Sequence, residues 1–196
     1  MAEQHATDRT PLDATALPLC QFLARLFIAP PDAKLLQSCR DGVGARLLAD
    51  CAADPRFAPG TTCLMGALRA NCIEALSNAW TLLFSGAGGP ANVPPYASAY
   101  AEGRLYGAAA ARMQAELSRL DLAVAGDCRE PPDHVAIQLT ILAELLWREP
   151  PETAEAFRRT ELAWLPAFCG SCATRDSTGF YAGAALLLAA LAGCEA

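Results

Sequence analysis

Residues 61–84 read TTCLMGALRANCIEALSNAWTLLF, the stretch with the clearest periodicity in the chain. Leu64, Leu68, Cys72, Leu76, Trp80 and Leu83 recur every three or four positions, and Ile73 and Phe84 widen the same stripe. That spacing marks one face of an α-helix and predicts a single long helix, capped by Thr61 or Thr62 and buried along one side. Composition extends the helical reading to the whole chain. Of 196 residues, 42 are Ala and 28 are Leu, while Val and Ile together number only eight, so a β-sheet would lack its usual branched residues.

Working outward, residues 17–28 place Leu19, Phe22, Leu23, Leu26 and Phe27 on one helical face, and Pro30-Pro31 ends that run. Residues 32–53 predict two short helices parted near Asp41-Gly42, followed by a loop over 55–60. On the other side, a second long helix is expected over 98–120, with Tyr106, Ala110, Met113, Leu117 and Leu120 inward. Further helices are expected over 132–147, over 152–172 with Pro166 kinking or dividing it, and over 177–191 capped by Ser177 or Thr178. No repeat or polar linker divides the chain. The expectation is an all-α, single-domain helical bundle of roughly eight to ten helices over residues 13–196, with a flexible arm over 1–12 and a hinge near 122–131.

The chain is 53% hydrophobic, 18% charged and carries a net charge of −6. Its basic residues are fourteen Arg and the single Lys34, without the clustered stripe of a nucleic-acid binder, so nucleic acid is excluded as a partner and a basic peptide is favoured. Residues 180–193 form the longest nearly uncharged run, too short for the roughly 20 residues that cross a bilayer, so no membrane insertion is expected. The first residues lack the basic and apolar regions of an export signal, which predicts a cytoplasmic protein. Nine cysteines mostly sit among apolar neighbours as small core residues. Cys169-Gly-Ser-Cys172 alone has redox or zinc spacing, yet it lacks a βαβ context, and neither His5 nor His134 stands at zinc-like spacing to it. No metal or cofactor is implied. A thiol-redox or zinc-binding helical protein using Cys169 and Cys172 stands as one alternative function, and a generic helical peptide-binding adaptor as another.

Two loops bear on function. Residues 83–100 read LFSGAGGPANVPPYASAY. They lack the Gly-Lys-Ser/Thr ending of a phosphate loop and follow a helix, so the phosphate-loop reading fails. Pro94-Pro95 holds the backbone extended before Tyr96, and Ser98 can cap the helix that follows. Tyr96 and Tyr100 read either as aromatics packing a helix start or as binding residues. Residues 130–134, EPPDH, precede the next apolar helix. Pro132 and Asp133 suit a helix N-terminus, where backbone N–H groups also disfavour a protonated His134. With Glu130, these residues predict an acidic, hydrogen-bonding patch fit for a guanidinium. Pairing Ser98 with His134 and an acid would be the enzymatic alternative, but no nucleophile-elbow or metalloprotease motif supports it, so the chain is not expected to be an enzyme.

In order and spacing, Leu83-Phe84-x-Gly86 with Pro94-Pro95-Tyr96-x-Ser98-x-Tyr100, then Glu130-Pro131-x-Asp133-His134, resemble the two motifs of the TorD/DmsD family of molybdoenzyme maturation chaperones, to which NarJ-type proteins are more distantly related. Leu162-x-Trp164-Leu165-Pro166-x-Phe168 extends the likeness toward the C-terminus. Gln138 departs from the family in standing where many members carry an acid, and Thr160 where a His is frequent. The resemblance implies a cytoplasmic chaperone that binds the twin-arginine signal peptide and apo-form of a molybdopterin oxidoreductase of the dimethyl sulfoxide or trimethylamine N-oxide reductase type. It further implies help with cofactor insertion, retention of the client until it is mature, and a capacity to form a homodimer. Glu130 and Asp133 would face the paired arginines and His134 would hydrogen-bond the peptide. Tyr96 and Tyr100 would line one apolar groove, with Ser98 and Pro132 beside them and Trp80, Phe84 and Gln138 as secondary groove residues.

Overall fold

A computed structural model of the protein describes residues 11–123 and 128–193, with side chains from residue 15 onward. Among these residues eleven α-helices follow one another: α1 (Pro11–Ile28), α2 (Ala33–Asp41), α3 (Val43–Ala53), α4 (Ala58–Ala70), α5 (Ile73–Phe84), α6 (Ala97–Ala101), α7 (Ala108–Arg119), α8 (Val135–Arg148), α9 (Pro151–Glu161), α10 (Leu165–Arg175) and α11 (Phe180–Leu191). A 3₁₀ turn spans Gly89–Ala91. Among the described residues there is no strand, only one isolated antiparallel bridge between Tyr96 and His134. The arm expected over 1–12 falls mostly outside the described residues, and α1 already contains Pro11. The hinge expected near 122–131 lies partly outside them as well.

The helix count exceeds the expected eight to ten because two long periodic runs are broken. The stripe over residues 61–84 divides at Asn71, the extended residue after α4, whose side-chain amide donates to the Ala67 and Thr178 carbonyls. Cys72 is the exposed N-cap of α5, not a core residue. Thr61 and Thr62 are not caps: α4 starts at Ala58, and the Thr61 hydroxyl donates back to the Phe57 carbonyl. The run over 98–120 breaks between α6 and α7, where Gly103 and Tyr106 both take positive φ. Tyr106, expected inward, is 70% exposed. At the last helix, Thr178 Oγ1 accepts the Phe180 N–H as expected, and Asp176 extends the cap, its Oδ2 accepting from the Tyr181 and Ala182 N–H groups.

The core is built from pairs distant in sequence. Helix α1 packs chiefly on α8, α4 on α11, and α10 on α11. At the α4/α11 crossing, a Cβ on Gly183 would lie 2.5 Å from the Leu64 nitrogen, so the close approach requires glycine. Phe27, Phe84, Phe168 and Tyr181 meet edge-on or tilted at centroid separations of 5.2–6.1 Å. Such aromatic geometry adds about 1 kcal/mol per pair beyond burial. Around this cluster α5, α6, α8 and α10 bring the two sequence loops together.

Candidate functional site

The two loops are clipped by backbone hydrogen bonds. The Ala97 N–H donates to the Asp133 carbonyl (3.1 Å) and the Val135 N–H to the Pro95 carbonyl (2.8 Å). The Asp133 carboxylate completes the clip, its Oδ2 accepting the Ser98 N–H at 2.7 Å. Pro94-Pro95 makes this arrangement accessible, because the segment before α6 is already extended when it meets the partner loop.

Burial separates residues that the sequence grouped. Asp133, Ser98 and Gln138 are fully buried and His134 is 2% exposed, whereas Glu130, Tyr96, Tyr100 and Pro132 are only partly covered. Asp133 therefore holds the start of α6 from inside the protein and does not present its carboxylate to a peptide. Its Oδ1 and the Ser98 hydroxyl are buried without a hydrogen-bond partner. His134 is the N-cap of α8, and its Nδ1 accepts the Ala136 N–H at 3.1 Å. Burial lowers its pKa from 6.5 to about 4, so the ring is neutral at pH 7. With Nδ1 engaged in capping and the Ser98 hydroxyl unpartnered, these side chains do not form a nucleophile–base pair.

Glu130 and Tyr96 form the surface part of the site. The Tyr96 hydroxyl donates to Glu130 Oε2 at 2.7 Å, and the ring packs edge-on against His134 at 5.3 Å. Burial first, and then the Glu130 hydrogen bond, raise the phenol pKa and keep it protonated. Tyr96 lies along a groove of about 380 Å³ that also includes Phe84, Pro94, Ala99, Arg104 and Leu105. Phe84 contributes to this groove from the aromatic core, where it is 4% exposed.

The single groove expected for both tyrosines is replaced by two, on either side of α6. Tyr100 stacks on Trp164 at 5.2 Å and lines a second groove of about 450 Å³ with Ala97, Ala109, Pro166 and Ala167. Gln138 supports it from beneath, its Oε1 accepting the Trp164 indole N–H at 2.9 Å. Trp80 lies at the opposite flank of the aromatic cluster and donates to the Phe27 carbonyl at 3.2 Å. Sequence reading missed Arg112 and Glu161 on the second groove, which meet at 3.0 Å although 49 positions apart. No local pattern could join them.

Cys169 and Cys172 are buried in α10, and burial raises the Cys172 thiol well above its ordinary value, which disfavours a nucleophilic thiolate. Among the described residues no group of three His, Cys, Asp or Glu side chains could hold a metal ion, and no helix is long and apolar enough to cross a membrane.

Comparison with known proteins adds family and fold. The chaperone protein TorD of Photobacterium profundum is 32% identical over 116 residues, covering 52% of this chain and 54% of that protein. TorD of Vibrio cholerae is 37% identical over 106 residues, covering 47% and 48% respectively. The chain thus spans about half the length of the curated relatives it matches. A solved protein of Archaeoglobus fulgidus, assigned as a redox enzyme maturation protein, superposes with a TM-score of 0.59 at 23% identity, covering 92% of this chain and 94% of that one, and shows the shared fold. The profile of the nitrate reductase delta subunit family matches residues 44–170, a span that includes both clipped loops and both grooves. The chain belongs to the nitrate reductase delta subunit family.

Proposed function

We propose that the chain is a non-enzymatic chaperone that binds the arginine-bearing signal peptide and apo-form of a molybdopterin oxidoreductase in the cytoplasm, assists cofactor insertion and delays export. A client of the dimethyl sulfoxide or trimethylamine N-oxide reductase type fits the relatives named TorD. The observation that carries the proposal is the partly covered Glu130 carboxylate, oriented by the Tyr96 hydroxyl. Beside Tyr96, Phe84, Pro94 and Leu105 line the apolar groove. A guanidinium meets a carboxylate already held in place, and the apolar part of the signal follows the groove. Asp133 and His134 act indirectly by holding the clipped loops in shape.

Calorimetry with a synthetic peptide carrying two adjacent arginines and an apolar segment tests this reading. Binding should weaken roughly tenfold on Glu130→Gln, the size expected for one charge-assisted contact, with the helical fold intact. Absence of peptide binding, together with absence of a molybdoenzyme subunit among proteins co-purified from the native host, would overturn it.

A further inference from the structure

We propose that Arg112 is a removable internal stand-in for an arginine of the bound peptide, and that Glu161, on the second groove, is the carboxylate it occupies. The occupant of that groove is an arginine-bearing peptide segment with apolar neighbours. The inference rests on the peptide-binding function proposed above and adds to it a second anionic subsite, across α6 from Tyr96.

Four observations support this. First, the ion pair stands where two hollows meet: Arg112, Thr160 and Glu161 line both the groove of about 450 Å³ beside Tyr100 and Trp164 and an adjoining one of about 350 Å³ beside Met113 and Phe157. Second, exposure is unequal. The Arg112 side chain is 54% exposed and that of Glu161 only 18%, so the arginine can swing into water while the carboxylate stays in the groove wall. Third, the bonding is incomplete for a guanidinium. Arg112 gives one donor, its Nε–H, shared between Oε1 at 3.1 Å and Oε2 at 3.0 Å. A guanidinium that places two N–H donors on the two oxygens makes the stronger forked arrangement. Fourth, Glu161 closes α9, at the negative end of the helix dipole although Arg158 and Arg159 share its last turn, and its own carbonyl receives the Gln138 side-chain amide at 3.4 Å. The site selects a cation and is held by a buried side chain from α8. Arg112 screens that charge until a better guanidinium arrives.

Fluorescence anisotropy with the labelled diarginine peptide, using the full chain, tests the exchange. Arg112→Gln should tighten binding about three- to tenfold by removing the competitor, a gain that misfolding cannot imitate. Glu161→Gln should weaken binding roughly tenfold, and the double variant should behave like Glu161→Gln alone. Replacing the peptide's arginines by norleucine should abolish the gain from Arg112→Gln. If Arg112→Gln leaves affinity unchanged or lowers it, or if the double variant keeps the gain, the stand-in role is refuted. Wild-type binding that responds to Glu130→Gln but not to Glu161→Gln would remove this subsite and leave the proposed function standing, whereas absence of any wild-type binding would remove both.

Discussion

At the scale of single residues, Asp133 and His134 are best understood through the backbone groups they hold. Asp133→Ala deprives the buried Ser98 N–H of its acceptor and should cost about 2 kcal/mol of stability, measured by urea unfolding. Asp133→Asn keeps a side-chain oxygen facing that N–H and should cost less, so peptide binding by the two variants should follow their folded fraction. His134 adds a pH dependence with a definite sign. Its pKa is about 4 when folded against 6.5 for a freely solvated imidazole, so the unfolded chain binds the proton more readily. Its contribution is complete above pH 6.5 and is lost as the pH falls toward 4. Between pH 8 and pH 5 the loss should reach about 2 kcal/mol, and a His134→Asn variant, which can still cap α8, should lack that component. The motif residues were legible in the sequence as a set, but their division into buried supports and surface groups was not. Burial of Asp133 depends on the partner loop 35 positions away, where the Ser98 backbone N–H donates to its carboxylate. No side-chain pattern records such a bond.

At the scale of elements, the apolar stripe over residues 61–84 shows both what periodicity reveals and where it stops. It identified helix, and it identified Leu64, Leu68, Leu76 and Leu83 as buried. It did not reveal the break, because Cys72 is as apolar as a core residue while its backbone is extended and its side chain exposed. The preceding Asn71 marks the break: its backbone turns extended, and its side-chain amide is tied to the Ala67 carbonyl behind it and to the Thr178 carbonyl of a distant loop. Glycines in the same elements give a paired test. Gly183→Ala in α11 forces a methyl against the Leu64 backbone and should destabilise by about 3 kcal/mol. Gly66→Ala in α4 meets no atom within 4 Å and should stabilise by roughly 0.5–1 kcal/mol. Thermal unfolding should therefore separate two glycine replacements at neighbouring helices by their sign.

At the scale of the whole molecule, the abundance of Ala and Leu is absorbed in helix interfaces, and most of the described cysteines share that fate. Burial pushes the Cys20 thiol up to about 12 and those of Cys39 and Cys51 up to about 11. In native protein at pH 8, a disulfide reagent should label exposed Cys72 first, while Cys20, Cys39, Cys51, Cys169 and Cys172 react only after denaturant is added. Rapid native labelling of Cys169 and Cys172 together would instead revive a thiol-exchange role for the pair. Fold class was legible from composition because helix preference is local and additive. The arrangement of the grooves was not, since each is walled by helices that composition cannot place side by side.

The pairing of α1 with α8 has a consequence for synthesis. The first helix leaves the ribosome long before residue 135, so although α3 and Phe84 reach it earlier, the part of its apolar face that packs on α8 must wait for a partner more than a hundred residues downstream. The clip that ties Pro95 to Val135 waits for the same moment. A nascent chain halted before α8 would hold helices without a settled core and without the Glu130–Tyr96 surface. Competence to receive another protein therefore emerges late in this protein's own birth, as one event with the closing of its interior.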